Sequence, residues 1–271
     1  VHGELVVELL TTKDTTKADK LARQLNDLNA ERQAIEASVK EQAIAQVNAN
    51  GGPGWGMVAW HEEFHTGVIG IVAQRLVEHF YRPSAVMGMD TPGIWKGSVR
   101  GIKGFSVVEA LGAVKEHLIK FGGHEGAGGF SVAEENLARF KESFIAECER
   151  RLSKIETVPF VDADTVATLD EFTVSLVKEL SSLAPFGVGN PAPVVLFKKL
   201  LVKEVRVLKD AHLKVLLSDG KRFVAGVMWR QTDHPSLRVN NYVDIACKPD
   251  VNSFGGSLEL QAVIQAVEDS V

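Results

Sequence analysis

Lys120-Phe-Gly-Gly-His-Glu-Gly-Ala-Gly-Gly-Phe-Ser131 holds one imidazole, His124, between Gly122-Gly123 on one side and Gly126, Gly128 and Gly129 on the other. Glycine packs nothing and loses the most conformational freedom on ordering, so a run this bare does not build a core. What it offers is close approach of backbone to something else. Successive N–H groups can form an anion-binding concavity, with one histidine as the directional donor. The alternative is an ordinary glycine-rich turn carrying a surface histidine. Apolar residues flank the run at 114–121 and 130–132, as expected of a loop that emerges from a packed scaffold. Helices are expected before it, over about residues 106–119, and after it, over about 134–152.

Toward the N-terminus, Ile94-Trp-Lys-Gly-Ser-Val-Arg-Gly101 reads as an extended segment. Alternation puts Lys96, Ser98 and Arg100 on one face and Trp95, Gly97, Val99 and Gly101 on the other. The first face is either a phosphate-and-base surface or a solvated strand face. Asp90-Thr-Pro-Gly93 turns into it from a strand expected over 84–89, and Pro83 stops a helix expected over 67–80. His65 and Thr66 stand where that helix begins, and a helix start favours anions. Thr66 as a simple N-cap fits equally. His61, Glu62, Glu63 and His65 are metal-ligand types but lack the i, i+4 histidine pair of a zincin helix, so no metal is assigned to them. A buried strand over 55–60 precedes them, and Asn48-Ala-Asn-Gly-Gly-Pro-Gly54 is a breaker that marks a domain boundary. Strands alternating with helices over about 52–155 predict an α/β domain.

Before the breaker, a long helix is expected from an N-cap at Asp14 or Thr15 to about Val47. Its apolar stripe runs Ala18, Leu21, Leu25, Leu28, Ile35 and Val39. Arg32 falls in the gap of that stripe. Glu36, one turn on, can pair with it, or the guanidinium points out toward a phosphate, which its planar fork suits. Residues 3–10 look strand-like.

After Thr157-Val-Pro159 the pattern changes. A helix near 172–183 leads to the rigid connection Ala184-Pro-Phe-Gly-Val-Gly-Asn-Pro-Ala-Pro193. Strands then follow over 194–207, 212–217, 222–229, 241–247 and 257–267. Turn signals separate them at Ser218-Asp-Gly220, Lys248-Pro-Asp250 and Phe254-Gly-Gly256. Five short strands behind a helix predict a small barrel of the OB type. Its first strands carry Lys198, Lys199, Lys203, Arg206, Lys209, Lys214, Lys221, Arg222 and Arg230 against Glu204, Asp210 and Asp219. His212, Phe223 and Trp229 are available for base stacking, with at least one of the two larger aromatics expected in the barrel core.

The 271 residues and an apolar fraction of 45% support two domains, or one with an extension. A net charge of −5 means that a polyanion must be held by a local patch, not by the global field. Cys148 and Cys247 have no partners at zinc spacing, which points to a reduced, cytoplasmic protein without structural zinc. No apolar run reaches membrane-spanning length and no signal segment is present. Val1 in place of an initiator Met suggests a piece of something longer.

Taken together, these segments resemble the C-terminal part of the RecJ family, the single-strand-specific 5′-to-3′ exonucleases of the DHH phosphoesterase superfamily. Val7-Glu-Leu-Leu10 and Leu28-Asn-Ala-Glu-Arg-Gln-Ala-Ile-Glu36 look like the end of the catalytic domain and its connecting helix. His65-Thr-Gly-Val-Ile-Gly-Ile-Val-Ala73 and Arg82-Pro83 look like the start of the DHH-associated domain. Gly97-Ser-Val-Arg100 and Gly122-Gly-His124 look like its two substrate-binding signatures. Ala184-Pro-Phe-Gly-Val-Gly-Asn-Pro191 and His212-Leu-Lys214 look like the opening of the OB domain. The ordered set is specific, although the Gly-Gly-His run alone is not. Two departures stand out. Gly101 occupies a position where the family often has Ser. Glu-Glu-Phe separates Trp60-His61 from His65, so either His61 or His65 matches the family's histidine, with the spacing to Gly67-Val-Ile-Gly70 favouring His65.

The resemblance implies that Ser98, Arg100 and His124, in the signatures that include Gly122 and Gly123, hold a terminal nucleotide and its phosphates, and that Arg32 reaches the same cleft; His65, as the family's histidine at the expected helix start, is a further candidate contact. Among the basic residues of the barrel strands, Lys214 and Arg222 are the candidate contacts to a nucleic-acid strand. The expected fold is a mixed α/β domain preceded by a long connecting helix and followed by an OB barrel. Its divisions are residues 1–50, 51–156 and 157–271. The family's metal-binding Asp and His residues belong to a domain preceding the long helix. No catalytic residue and no metal ligand is therefore assigned to this chain, and Mn or Mg belongs to that absent domain. The partners implied are single-stranded DNA and a repair protein docking on the OB module. Two other readings are a DHH phosphoesterase for short oligonucleotides or cyclic dinucleotides, which usually lacks the OB module, and a non-catalytic single-strand binder.

Overall fold

The computed structural model describes residues 3–154, 157–187, 189–252 and 258–270. Two compact units divide the chain, Val1–Val158 and Pro159–Val271.

The first unit opens with helix α1 (Gly3–Thr11), where the sequence suggests a strand. Its apolar residues Val6, Val7 and Leu10 are exposed, and a nine-residue helix is compatible with the same short apolar run that reads as a strand. Helix α2 (Thr15–Ala49) follows, its start fixed by Asp14, whose side chain accepts from the N–H groups of Thr16 and Lys17. Of the apolar stripe, Leu21 and Val39 are buried, together with Ala43 and Val47 further along. The C-terminal half of α2 lies on strand β1 (Met57–His61) and helix α3 (Ile69–Phe80). The Gln46 amide docks both ways on Trp60, donating to its carbonyl at 3.1 Å and accepting from its N–H at 2.9 Å. That side chain occupies the open edge of β1, a position that would otherwise present unpaired backbone groups.

Strands β2 (Ser84–Thr91) and β3 (Ile94–Arg100) form the expected hairpin. Helix α4 (Val107–Ala113) begins at Ser106, which caps the N–H of Glu109. The glycine-rich stretch is not a loop between two helices. It folds as a hairpin of β4 (Lys120–Gly123) and β5 (Ala127–Ala133), registered by Phe121 opposite Phe130 and Gly122 opposite Gly129. The apolar ends of the run supply the strand character, and only residues 124–126 form the turn. Helix α5 (Leu137–Leu152) closes the unit. The sheet order is β1-β2-β3-β5-β4, with β1 parallel to β2 and the rest antiparallel. One core joins Trp95, Val99, Phe130 and Val132 to α4 and α5, and a second joins Val86 to α2 and α3. Two helical layers thus cover opposite faces of the sheet.

In the second unit, β6 (Thr165–Ala167), which has no counterpart in the sequence reading, pairs in parallel with β7 (Val195–Leu208). Helix α6 (Val174–Ser181) starts at Thr173. Strands β8 (His212–Ser218), β9 (Phe223–Met228), β10 (Tyr242–Asn252) and β11 (Glu259–Asp269) complete a closed five-strand barrel, ordered β7-β8-β9-β11-β10 with β10 returning to β7. This is OB-like, as expected. Lys248-Pro-Asp250 does not turn the chain but continues β10. Beyond Cys247 that strand pairs with β11 alone, so the missing N–H of Pro249 breaks no second ladder. The Phe254-Gly-Gly256 turn lies outside the described residues.

Candidate nucleic-acid interface

Strand β3 presents the predicted alternation, with Trp95, Gly97 and Val99 buried while Lys96 is exposed and Ser98 and Arg100 half-buried. The Arg100 guanidinium donates through Nη1 to Ser98 Oγ at 2.8 Å and to the Val99 carbonyl at 2.9 Å. Burial pushes it below the ordinary arginine value, and no carboxylate is bonded to it among the described residues. The pair sits against α3 at Gly70. A Cβ added there would lie 2.9 Å from Arg100 Nη2 and 3.1 Å from Ser98 Oγ.

The turn after β4 is tied to this strand by the Gly101 N–H, which donates to the Gly126 carbonyl at 3.0 Å. It is tied to the start of α4 by the Val107 N–H, which donates to the Glu125 carbonyl at 2.8 Å. Within the turn, His124 Nδ1 accepts from the Gly126 N–H at 3.2 Å, which leaves Nε2 as a donor facing away from its own backbone bond. Gly123 has φ +153° and no room for a Cβ, which would strike the Ala127 carbonyl. An open depression of ≈ 410 Å³ is lined by Gly101, Lys103, Phe105, His124, Glu125 and Gly126, among others. Ser98, Arg100, Gly122 and Gly123 therefore belong to one strand triplet, β3-β5-β4, with His124 in the turn that joins β4 to β5.

The other predicted residues have separate environments. His65 Nδ1 accepts from the Gly67 N–H at 3.0 Å, and His61 makes the same turn with the Glu63 N–H at 3.2 Å. Thr66 does not cap α3, whose cap residue is Val68 with no side-chain bond. Arg32 donates to Glu36 at 2.8 Å and to Asn29 at 3.0 Å. Glu36 in turn accepts from Arg75 of α3 at 3.0 Å, so the in-helix pairing extends across to a second helix. Sequence pattern offers no means of finding Arg75 or Gly70, which are revealed by packing between elements.

On the barrel, the register places Lys214 between Arg206 and Val227. His212 Nδ1 accepts from the Arg230 N–H at 2.9 Å, and its ring meets Trp229 edge-on at 4.7 Å. Arg222 is paired with Asp170 at 2.5 Å. Phe223 is 63% and Trp229 53% exposed, so neither is core. The inward positions of β9 go instead to Val224 and Met228, because Phe223 and Trp229 take the opposite phase of the strand alternation.

A family model described as the DHHA1 domain matches residues 53–150, and one described as the RecJ OB domain matches residues 163–266. The single-stranded-DNA-specific exonuclease RecJ of Bacillus subtilis is 33% identical over 219 residues, covering 80% of this chain and 28% of that protein. The RecJ of Haemophilus influenzae is 30% identical over 277 residues, covering 97% of this chain and 48% of its own. The crystal structure of RecJ in complex with Mn2+ from Thermus thermophilus superposes with a TM-score of 0.79 at 29% identity, over 99% of this chain and 39% of that one. The chain is a homologue of the RecJ exonucleases. It spans less than half the length of each of these RecJ proteins. The Gly97–Arg100 and Gly122–His124 signatures both fall in the DHHA1 match, and Lys214 and Arg222 in the RecJ OB match. RecJ from Thermus thermophilus has been solved with Mn2+ and with Mg2+. Among the described residues here, no group of three or more His, Cys, Asp or Glu is arranged to hold a metal ion. No helix among them is long and apolar enough to cross a membrane.

Proposed function

We propose that this chain is the substrate-gripping portion of a RecJ-type 5′-to-3′ single-stranded-DNA exonuclease acting in cytoplasmic DNA repair and recombination. A two-metal domain, loaded with Mn or Mg, would hydrolyse the phosphodiester from upstream of α2. The observation that carries this reading is the Ser98–Arg100 pair, a half-buried guanidinium with no carboxylate partner among the described residues, on the strand triplet whose β4–β5 turn holds His124. An arginine fork without a bonded carboxylate among the described residues, beside a hydroxyl and with an imidazole in the adjoining turn, suits a terminal phosphate. His65 lies in the turn that leads into α3, the helix whose Gly70 faces Arg100. Arg32 joins the site by exchanging Glu36 for a phosphate, which its half-exposed position permits. Lys214 and Arg222, with the exposed Phe223 and Trp229, give the barrel the cations and stacking faces of a single-strand groove, and the same barrel offers a surface to a repair partner. The presence of a RecJ OB domain weighs against a phosphoesterase confined to short oligonucleotides or cyclic dinucleotides, and a non-catalytic single-strand binder would need an upstream domain without metal ligands.

Fluorescence anisotropy with a 5′-phosphorylated single-stranded oligonucleotide tests the reading. Binding should weaken steeply with salt, prefer the single strand over competing duplex, and fall on Arg100→Ala. The purified chain should show no manganese-dependent exonuclease activity. Salt-insensitive binding that Arg100→Ala leaves unchanged would refute the gripping role, and measurable nuclease activity would refute the division of labour.

A further inference from the structure

Several glycines of the first unit are demanded by the fold. A Cβ at Gly97 would enter the Phe130 ring, and one at Gly128 would lie 2.8 Å from Leu111 Cδ1. Gly122 and Gly129 are different. Nothing lies within 4 Å of a Cβ at Gly122, the nearest atom at Gly129 is the Gly97 carbonyl oxygen at 3.8 Å, and neither residue has the left-handed φ that favours glycine. Both are exposed and face each other across the β4–β5 ladder. Glycine weakens a strand and marks sites where another molecule's atoms come close. Two such positions side by side, unexplained by packing or backbone, describe a shelf.

The register shows what borders it. Ser98, Gly129 and Gly122 form one row across β3, β5 and β4. The neighbouring row on one side is Arg100 with Ala127, and on the other Lys96, Ser131 and Lys120. Lys96 and Lys120 share a face and are both exposed, with Cα atoms two strand spacings, about 10 Å, apart. Among the described residues neither is in an ion pair or a side-chain hydrogen bond. From Arg100 to Lys96 the strand rises about 13 Å. Side chains reaching inward from both ends shorten that span to one nucleoside with a phosphate on each side.

We propose that Lys96 and Lys120 form a second phosphate clamp across the glycine shelf from Arg100, so that the site takes a nucleoside flanked by two phosphates. This rests on the reading of Ser98, Arg100, Gly122 and His124 as the strand-end site, and it adds Gly129 and the two lysines, which that reading does not use. Thymidine 3′,5′-bisphosphate and thymidine 5′-monophosphate, each competing against a labelled oligonucleotide on the full chain, test it. The bisphosphate is expected to compete about tenfold better. In Lys96→Ala/Lys120→Ala that advantage should vanish while monophosphate competition stays within twofold, and the salt slope for the oligonucleotide should lose about 0.7 per phosphate contact removed. Lys96→Arg/Lys120→Arg should retain the advantage. Gly129→Val should weaken both competitors without lowering the melting temperature. Equal competition by the two nucleotides, an advantage that survives the double alanine variant, or an unaffected Gly129→Val would overturn the clamp. If Arg100→Ala still weakened both competitors in that case, the strand-end reading would stand without it. An Arg100→Ala variant with unchanged competition would remove both.

Discussion

Replacing Gly70 by alanine should separate folding from binding. The added Cβ lands 2.9 Å from Arg100 Nη2 and 3.1 Å from Ser98 Oγ. Both atoms are ends of side chains on a partly open face, so the conflict is relieved by moving them and not the backbone. Gly70 is the second residue of α3 and has no left-handed φ to preserve. Alanine is the better helix former by up to about 1 kcal/mol, less in a first turn. Stability should therefore hold or rise by about 0.5 kcal/mol, a change of roughly 1–2 °C in melting temperature. The guanidinium meanwhile shifts from its place beside Ser98, keeping a hydroxyl or water partner there but losing one hydrogen bond to the bound phosphate. A hydrogen bond to a charged group contributes about 1.5–3 kcal/mol, and losing the lower figure is roughly a tenfold fall in affinity. Anisotropy titration of a 5′-phosphorylated oligonucleotide beside a thermal melt reads both quantities. Because Gly70 acts through Arg100, the loss should shrink in an Arg100→Ala background, a coupling that a double-mutant cycle measures. Unchanged affinity, additive losses, or a melting temperature lower by several degrees would each refute the reasoning.

Gly97→Ala should behave in the opposite way. Its Cβ enters the ring of Phe130, which packs on Phe140 with centroids 4.5 Å apart in the main core. Overpacking of this kind costs about 1–3 kcal/mol, and an unaltered melt would contradict it. Glu147 supplies a pH test. Arg150 donates to it twice at 2.7 Å and Arg151 once at 2.5 Å, and these bonds, that of Arg150 foremost, hold its carboxyl below the usual carboxylate range. With the folded value below the unfolded one near ~4.3, its contribution is complete above that pH and disappears as the pH falls through the folded value. The urea midpoint should drop between pH 5 and pH 3, and by less in Glu147→Gln. A variant as acid-sensitive as the wild type would refute the assignment.

Periodicity makes most of the elements legible. The apolar phases of residues 67–80 and 134–152 and the alternation of 94–101 appear in α3, α5 and β3 with boundaries within a few residues. The departures lie where local signals are ambiguous. Residues 3–10 are a short apolar run that suits strand or helix alike, and Pro249 reads as a breaker unless its strand is known to have one neighbour. Residue type alone sends a Phe or a Trp to the core, but the two-residue period decides which face Phe223 and Trp229 take. For the site, the sequence supplies residues but not adjacency. Ser98 and Arg100 share a face through strand alternation alone, whereas Gly70 meets them only because α3 crosses that face.

The glycine-rich stretch shows why adjacency matters to function. As a loop, its glycines are interchangeable: each merely frees the backbone, and no argument distinguishes one from the next. As a hairpin they divide by what surrounds them. Gly123 and Gly128 are fixed by their own fold, through a carbonyl and a leucine methyl that leave no room for a side chain. Gly122 and Gly129 are fixed by nothing internal, yet they align with Ser98 and lie between a row holding Arg100 and a row holding Lys96 and Lys120. A residue type that weakens its strand and answers no internal need is best explained by something external. The cations on both sides make the proposed ligand an anion at each end. The same pairing that makes strands of the expected loop is thus what gives the proposed binding surface its direction, from Arg100 across the shelf to the two lysines.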